Sequence, residues 1–176
     1  VTGVNNTATV NRVFVSGKNN TANGPSSFIG GGQDNTTQGE GSAVFNFGNK
    51  ALGYGSAAFG FENEALGSLS FVAGQNNKPT GKRTAAFGRS NVVKGENAAA
   101  FGLENNIGEN ATNSVAFGEH NEITGSYSLT SGLLKPLPGL PQPMTFCFPC
   151  YDDGYLWLGS LNGLWRVDTR TGDVRN

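Results

Sequence analysis

Residues 56–67 read SAAFGFENEALG, and the same phrase returns along the chain as AAAFGLENNIG at 98–108 and NSVAFGEHNEITG at 113–125. Asn35, Asn49, Asn63, Asn77, Asn91 and Asn105 follow one another at 14-residue steps, and Asn6 and Asn20 keep that step. The interval widens to 15 before Asn35 and to 16 before Asn121, so short insertions sit there. Nine candidate repeats therefore run over residues 1–132.

The other positions share the register. A Gly falls three residues before the Asn, as at Gly60, Gly74 and Gly88, and another four after it, as at Gly53, Gly67 and Gly81. Phe45, Phe59, Phe87, Phe101 and Phe117 stand four before, with Ala73 as the exception. Ser42, Ser56, Ser70, Thr84 and Ser114 stand seven before, and Ala51, Ala65, Val93, Ile107 and Ile123 two after. The consensus is S-A-A-F-G-x-x-N-x-A-x-G-x-x.

Two glycines in each 14 residues exclude a helix, since each costs roughly 1 kcal/mol there. The S-A-A-F segment alternates as a strand does, and Gly and Asn suit the tight turns on either side. An identical register in every unit is what a parallel solenoid requires, because equivalent residues stack one rung above the next. The expected fold is all-β: a β-roll of 14-residue rungs roughly 4.8 Å apart, making a rod about 40 Å long. The Phe and Ala/Val/Ile columns are expected to line its interior. The column at Val44, Ala58, Val72, Ala86, Ala100 and Ala116 points the other way and is the expected subunit-facing side. The stacked Asn side chains are expected to hydrogen-bond along their column.

These repeats resemble the heads of trimeric autotransporter adhesins of the YadA type, over residues 1–132. The resemblance implies a left-handed parallel β-roll, three chains side by side, exposed at the tip of a bacterial surface fibre on the outer membrane. It also implies adhesion to host matrix or to other cells. In that family an N-S-V-A-I-G motif is associated with collagen binding. Here Asn113, Ser114, Val115, Ala116, Phe117 and Gly118 match it at five of six places, with Phe117 in place of Ile. The longer unit from Gly108 to Ser114 is expected to bulge just before the motif. No heptad stalk and no anchor follow within the chain. Related repeats also occur on viral and phage fibres.

Composition narrows the chemistry. The chain has 176 residues, with 27 Gly, 21 Asn, one His and two Cys. Its 12 Lys+Arg and 13 Asp+Glu nearly cancel, and only 14% of residues are charged. Such a surface is a poor phosphate binder, so no nucleic-acid partner is expected. One His offers no basis for His-based catalysis or a His-rich metal site. No enzyme activity, cofactor or metal is therefore expected. No apolar run approaches the roughly 20 residues of a membrane helix. The chain opens on Val1 with no charged-then-apolar leader, and reads as a piece of a longer protein whose export signal and anchor lie elsewhere.

After Gly132 the period stops. Five of seven prolines fall within Pro136–Pro149, marking residues 133–145 as a Pro-rich linker. Residues 152–172, DDGYLWLGSLNGLWRVDTRTG, resemble one blade of the propellers in bacterial two-component regulators, and 139–176 is about one such repeat. YLWLG and LWRVD read as strands around an SLNG turn, giving a β-hairpin over 146–176. One blade cannot bury its own faces. The tail is therefore expected to be a loose hairpin or a cap in which Leu133, Leu134, Leu156, Trp157 and Trp165 cover the last rung.

Other candidate motifs dissolve. Cys147 and Cys150 form C-F-P-C, but a zinc site needs two further ligands and a redox pair needs a helix to open, so strand or loop cysteines are expected. Gly81-Lys82-Arg83-Thr84 fails the spacing of a phosphate loop. His120 beside Glu119 reads as a solvated turn residue. The function expected is a non-enzymatic, homotrimeric adhesin head at the cell surface, binding a collagen-like matrix protein or a receptor. The alternatives are a sensor whose propeller begins at the C-terminus, and a viral or phage fibre segment.

Overall fold

The computed structural model describes residues 1–131, 147–152, 155–160, 163–168, 170–171 and 173–175. Two compact units divide the chain, Val1–Ser131 and Gly132–Asn176. The expected linker, with Leu133 and Leu134, lies outside the described residues.

The first unit is the parallel coil that the 14-residue spacing predicts. Each rung carries one long and one short strand. Long strands such as Ala43–Phe47, Ala57–Phe61, Phe71–Gln75, Ala85–Arg89, Ala99–Leu103 and Val115–Glu119 form one nine-stranded sheet, from Phe14–Val15 to Leu129–Ser131. The order follows the sequence and every pairing is parallel, with Ala58 opposite Val44 and Val72.

Short strands such as Lys50–Ala51, Glu64–Ala65, Lys78–Pro79 and Val92–Val93 form the opposite layer, split into sheets of five and four strands. The split falls between Glu64–Ala65 and Lys78–Pro79. Proline has no N–H for the ladder, so Pro79 removes one bond there, while the Glu64 N–H to Asn77 O bond at 2.9 Å and the Leu66 N–H to Pro79 O bond at 3.0 Å still join the two rungs. Lys78 Nζ reaches back across the break to Glu64 Oε2 at 3.0 Å.

The interior differs from the expectation in one respect. Val15, Ile29, Val44, Ala58, Val72, Ala86, Ala100 and Ala116 are fully buried between the two layers, facing Ala22, Ala51, Ala65, Val93 and Ile107. The Ala/Val column is thus the core and not the subunit-facing side. The Phe column, one residue along, points outward. The cause is width: two layers joined by turns of a few residues leave room for Ala, Val or Ile, but not for stacked phenyl rings.

Buried Asn residues form a continuous ladder. Asn63 Nδ2 donates to Phe59 O at 2.9 Å and to Gly74 O, one rung on, at 2.7 Å. The same contacts recur at Asn49 and Asn91. The glycines do two different jobs. Those before the Asn, such as Gly60 (φ +110°) and Gly74 (φ +122°), take a left-handed backbone. Those after it do not; a Cβ on Gly67 would instead run into the carbonyl of Gly81. The left-handed residue at that corner comes two places later, as at Gly55, Leu69 and Arg83.

The second unit is an antiparallel sheet of Cys147–Asp152, Tyr155–Ser160, Gly163–Asp168 and Val174–Arg175. It contains the expected hairpin, with Tyr155 opposite Asp168 and Ser160 opposite Gly163. Cys147 and Cys150 lie on its first strand, at a register irregularity where Pro149 falls. Asp168 Oδ1 accepts from the backbone N–H groups of Arg170 and Thr171 at 2.9 and 3.1 Å, turning the chain toward the last strand. Those two bonds hold its carboxyl below the usual range.

Candidate functional site

In the long strands alternate residues face in and out. Ser56 and Ala58 face in; Ala57, Phe59 and Phe61 face out. Repeated over the sheet, this builds one outer face of Ala and Phe. Its rings stack without a gap: Phe14, Phe28, Phe45, Phe59, Phe71, Phe87, Phe101 and Phe117, with neighbouring centroids 4.9–5.5 Å apart. Phe47 and Phe61 make a second, shorter stack at 5.0 Å.

Continuity survives gaps in the sequence column. Ala73 stands where a Phe is expected, and Phe71, two residues upstream, carries its ring between Phe59 and Phe87 at 5.3 and 5.5 Å. Gly30 is a second gap. There Phe28 supplies the ring, and a Cβ at Gly30 would run into the rings of Phe28 and Phe45. The aromatic stripe is maintained although its residues come from two different positions. The sequence columns did not reveal this, because Phe14, Phe28 and Phe71 fall outside the Phe register.

Many of these rings remain open to solvent; Phe14, Phe71 and Phe117 are 40–47% exposed. A row of half-exposed phenyl rings along a whole sheet face is a large apolar surface for one chain to leave uncovered.

The collagen-like motif lies at the end of this face. Ser114 and Ala116 are fully buried in the coil, whereas Val115 and Phe117 point outward among the ladder residues. Asn113 occupies the exposed corner in the left-handed region (φ +54°). Gly118 O accepts from Asn105 Nδ2 at 2.9 Å, so it serves the ladder. The motif is therefore divided between core, face and corner. The extra residues before it form an exposed turn at Glu109 and Asn110 while Ala111 stays buried, and the strands on either side keep their register.

The opposite layer is polar. Glu64 sits between two ammonium groups, Lys50 Nζ at 2.8 Å and Lys78 Nζ at 3.0 Å, on adjoining rungs. Hydrogen bonds from Lys50 and then Lys78 hold its carboxyl below the usual value. Arg83 pairs with Glu96 and donates to Asn97 Oδ1 at 2.6 Å, which leaves the basic Lys82-Arg83 turn in ordinary surface contacts. His120 Nδ1 is 3.2 Å from Glu104 Oε2, with both side chains exposed. Among the described residues no group of three His, Cys, Asp or Glu side chains is placed to hold a metal ion. Among the described residues no helix is long and apolar enough to cross a membrane. No protein-family model matches the chain, and no curated protein matches it.

Proposed function

We propose that this chain is a non-enzymatic adhesin head that works at the cell surface as a homotrimer, with its Phe-bearing faces turned toward one another. The observation that carries this reading is the unbroken, half-exposed stack of eight phenylalanines. Covering it against further copies removes that apolar surface from water. Surface ion pairs such as Lys50–Glu64, Lys78–Glu64 and Arg83–Glu96 on the coil suit a binding role. In such an assembly the polar layer and the corners remain outside to meet a matrix protein or receptor through many stacked, weak contacts. Of the collagen-like motif, Asn113 stays outside beside the turn at Glu109–Asn110, whereas Val115 and Phe117 face the neighbouring copies.

Sedimentation of the full chain tests this directly. A trimer that Phe59→Glu with Phe87→Glu reduces to a folded monomer supports the reading. A wild-type monomer at micromolar concentration overturns it. A solid-phase assay on collagen, with Asn113→Ala and Glu109→Lys variants that remain trimeric, then tests the outer corner; undiminished binding removes it.

A second reading, a sensor whose propeller begins at the C-terminus, draws on the four antiparallel strands of Cys147–Arg175. Further blade repeats downstream in the parent gene would favour it over the adhesin.

A further inference from the structure

We infer that the corner at Gly48 is a sugar-binding notch that takes a neutral hexopyranose of a receptor glycan. The inference rests on the adhesin reading above and names the ligand class of one outer corner; the site itself lies within a single chain.

The turn from each long strand to its short strand carries one left-handed residue, just before the ladder Asn. Successive rungs place Asn19, Asp34, Gly48, Glu62, Asn76 and Ser90 there, with φ from +53° to +65°. The conformation does not demand a glycine, since its neighbours hold it with side chains. Gly48 therefore leaves a gap one rung deep, with Asp34 one rung before it and Glu62 one rung after. The strand beside the gap departs from the repeat at the same place. Phe47 and Phe61 are the only aromatic residues standing two before a ladder Asn, and their rings stack at 5.0 Å. Function in a repetitive scaffold is expected where the repeat varies.

Phe47 lines a groove of about 530 Å³ over Gly48, completed by the two carboxylates and by Lys50, Glu64 and Asn76. Small-ligand sites span roughly 300–1,000 Å³. The polar groups of this groove have capacity to spare. The Glu62 carboxylate and the Asn76 side-chain amide make no hydrogen bond or ion pair among the described residues. Asp34 uses Oδ2 to accept from Gln33 Nε2 at 2.9 Å, which leaves Oδ1. Lys50 Nζ donates to Glu64 Oε1 at 2.8 Å, and an ammonium has further donors.

A carboxylate only accepts and an ammonium only donates, so a ligand that answers both needs groups that do both; hydroxyls are such groups. An arginine or lysine side chain would leave Lys50 and its charge unanswered. A sulfated or sialylated sugar would meet Asp34 and Glu62 with like charge. A neutral sugar ring brings hydroxyls for the carboxylates and C–H groups for the phenyl wall.

Saturation-transfer NMR on the full chain tests the notch, with the methyl glycosides of glucose, galactose and mannose as probes. Transfer to the ring protons of at least one is expected. Gly48→Asn fills the gap with the residue that Asn19 and Asn76 place at that corner, and its Cβ meets only the flexible Glu62 side chain, at 3.2 Å from Cγ. It is expected to cut binding at least about tenfold. Glu62→Gln is expected to weaken it about fivefold. Ser90→Asn, the same residue on a rung without a gap, is expected to leave it unchanged. No transfer to any of the three glycosides overturns the notch and leaves the homotrimer standing. Transfer that survives Gly48→Asn overturns it equally. A response to N-acetylarginine amide in place of the sugars assigns the groove to a basic side chain and overturns the sugar. A chain that sediments as a monomer and still shows the Gly48-dependent transfer supports the notch while overturning the homotrimer.

Discussion

Asn63 Oδ1 accepts two hydrogen bonds from Asn77, one from its backbone N–H at 3.0 Å and one from its side-chain Nδ2 at 3.1 Å. Asn63 in turn donates to Asn49 Oδ1 from the same two groups, at 3.0 and 3.1 Å. Each rung thus holds the next through a fully buried side chain that is both donor and acceptor. An aspartate is the same size but has no Nδ2 and adds a charge. Asn63→Asp is expected to cost on the order of 3 kcal/mol, and the exposed Asn76→Asp close to nothing. Thermal unfolding followed by circular dichroism compares the two; a similar loss in both would mean that the ladder does not carry the fold.

Glycine substitutions should separate sharply by position. Gly60 has φ +110°, and a Cβ there would run into the carbonyl of Gly74. Gly41 has φ +66° with nothing within 4 Å of such a Cβ. Gly60→Ala is expected to lose roughly 3 kcal/mol or more, from strain and collision together, and Gly41→Ala about 1 kcal/mol from backbone strain alone. Urea denaturation midpoints with an unchanged m-value would measure both.

Two serines in one column predict opposite outcomes. Ser56 Oγ donates to Gly53 O at 2.7 Å, whereas the buried Ser70 Oγ has no partner. Ser56→Ala is expected to lose about 1 kcal/mol. Ser70→Ala is expected to be neutral or slightly stabilising, since it removes a hydroxyl whose desolvation nothing offsets. If Ser70→Ala melts lower than Ser56→Ala, the hydroxyl has a partner after all.

Acid should weaken the Lys50–Glu64–Lys78 group. The folded-state pKa of Glu64 lies below its ordinary value of 4.5, so its stabilisation is complete above that pH and is lost as pH falls through the folded value. The group is partly exposed, so the effect is expected to be only tenths of a kcal/mol. The melting-temperature gap between wild type and Glu64→Gln should be widest above pH 4.5 and narrow as pH falls through the lowered folded-state value. A gap that is independent of pH would remove the ion pairs as its cause.

The coil was legible because its turn residues admit few substitutes. Asn63 and Gly60 recur at fixed spacing, and each is bound by a contact to the next rung. Sidedness was harder, since hydrophobicity alone sends Phe59 inward and leaves Ala58 free to face out. The decisive signal was size tolerance. The column of Ala58 never exceeds Val or Ile, as a narrow interior demands, whereas the column of Phe59 admits Ala73 and Gly30. The ring stack stayed hidden for a related reason: Phe71 belongs to a different column, and only side-chain reach brings its ring into line. Of the collagen-like motif, the sequence shows six adjacent letters, but strand alternation sends Ser114 and Ala116 to the inside.

The break at Pro79 bears on how such a rod can change over generations. Asn77 is followed by Lys78-Pro79-Thr80-Gly81, and Asn91 by Val92-Val93-Lys94-Gly95. Removing residues 78–91 would therefore join Asn77 to Val92 with every column still in place. It would also delete the proline and so restore the one ladder bond missing between the short strands. The coil would lose about 4.8 Å of height and nothing else of its plan. Length is thus a heritable variable separable from the fold. Misaligned recombination between near-identical repeats changes the length of the coil in whole rungs.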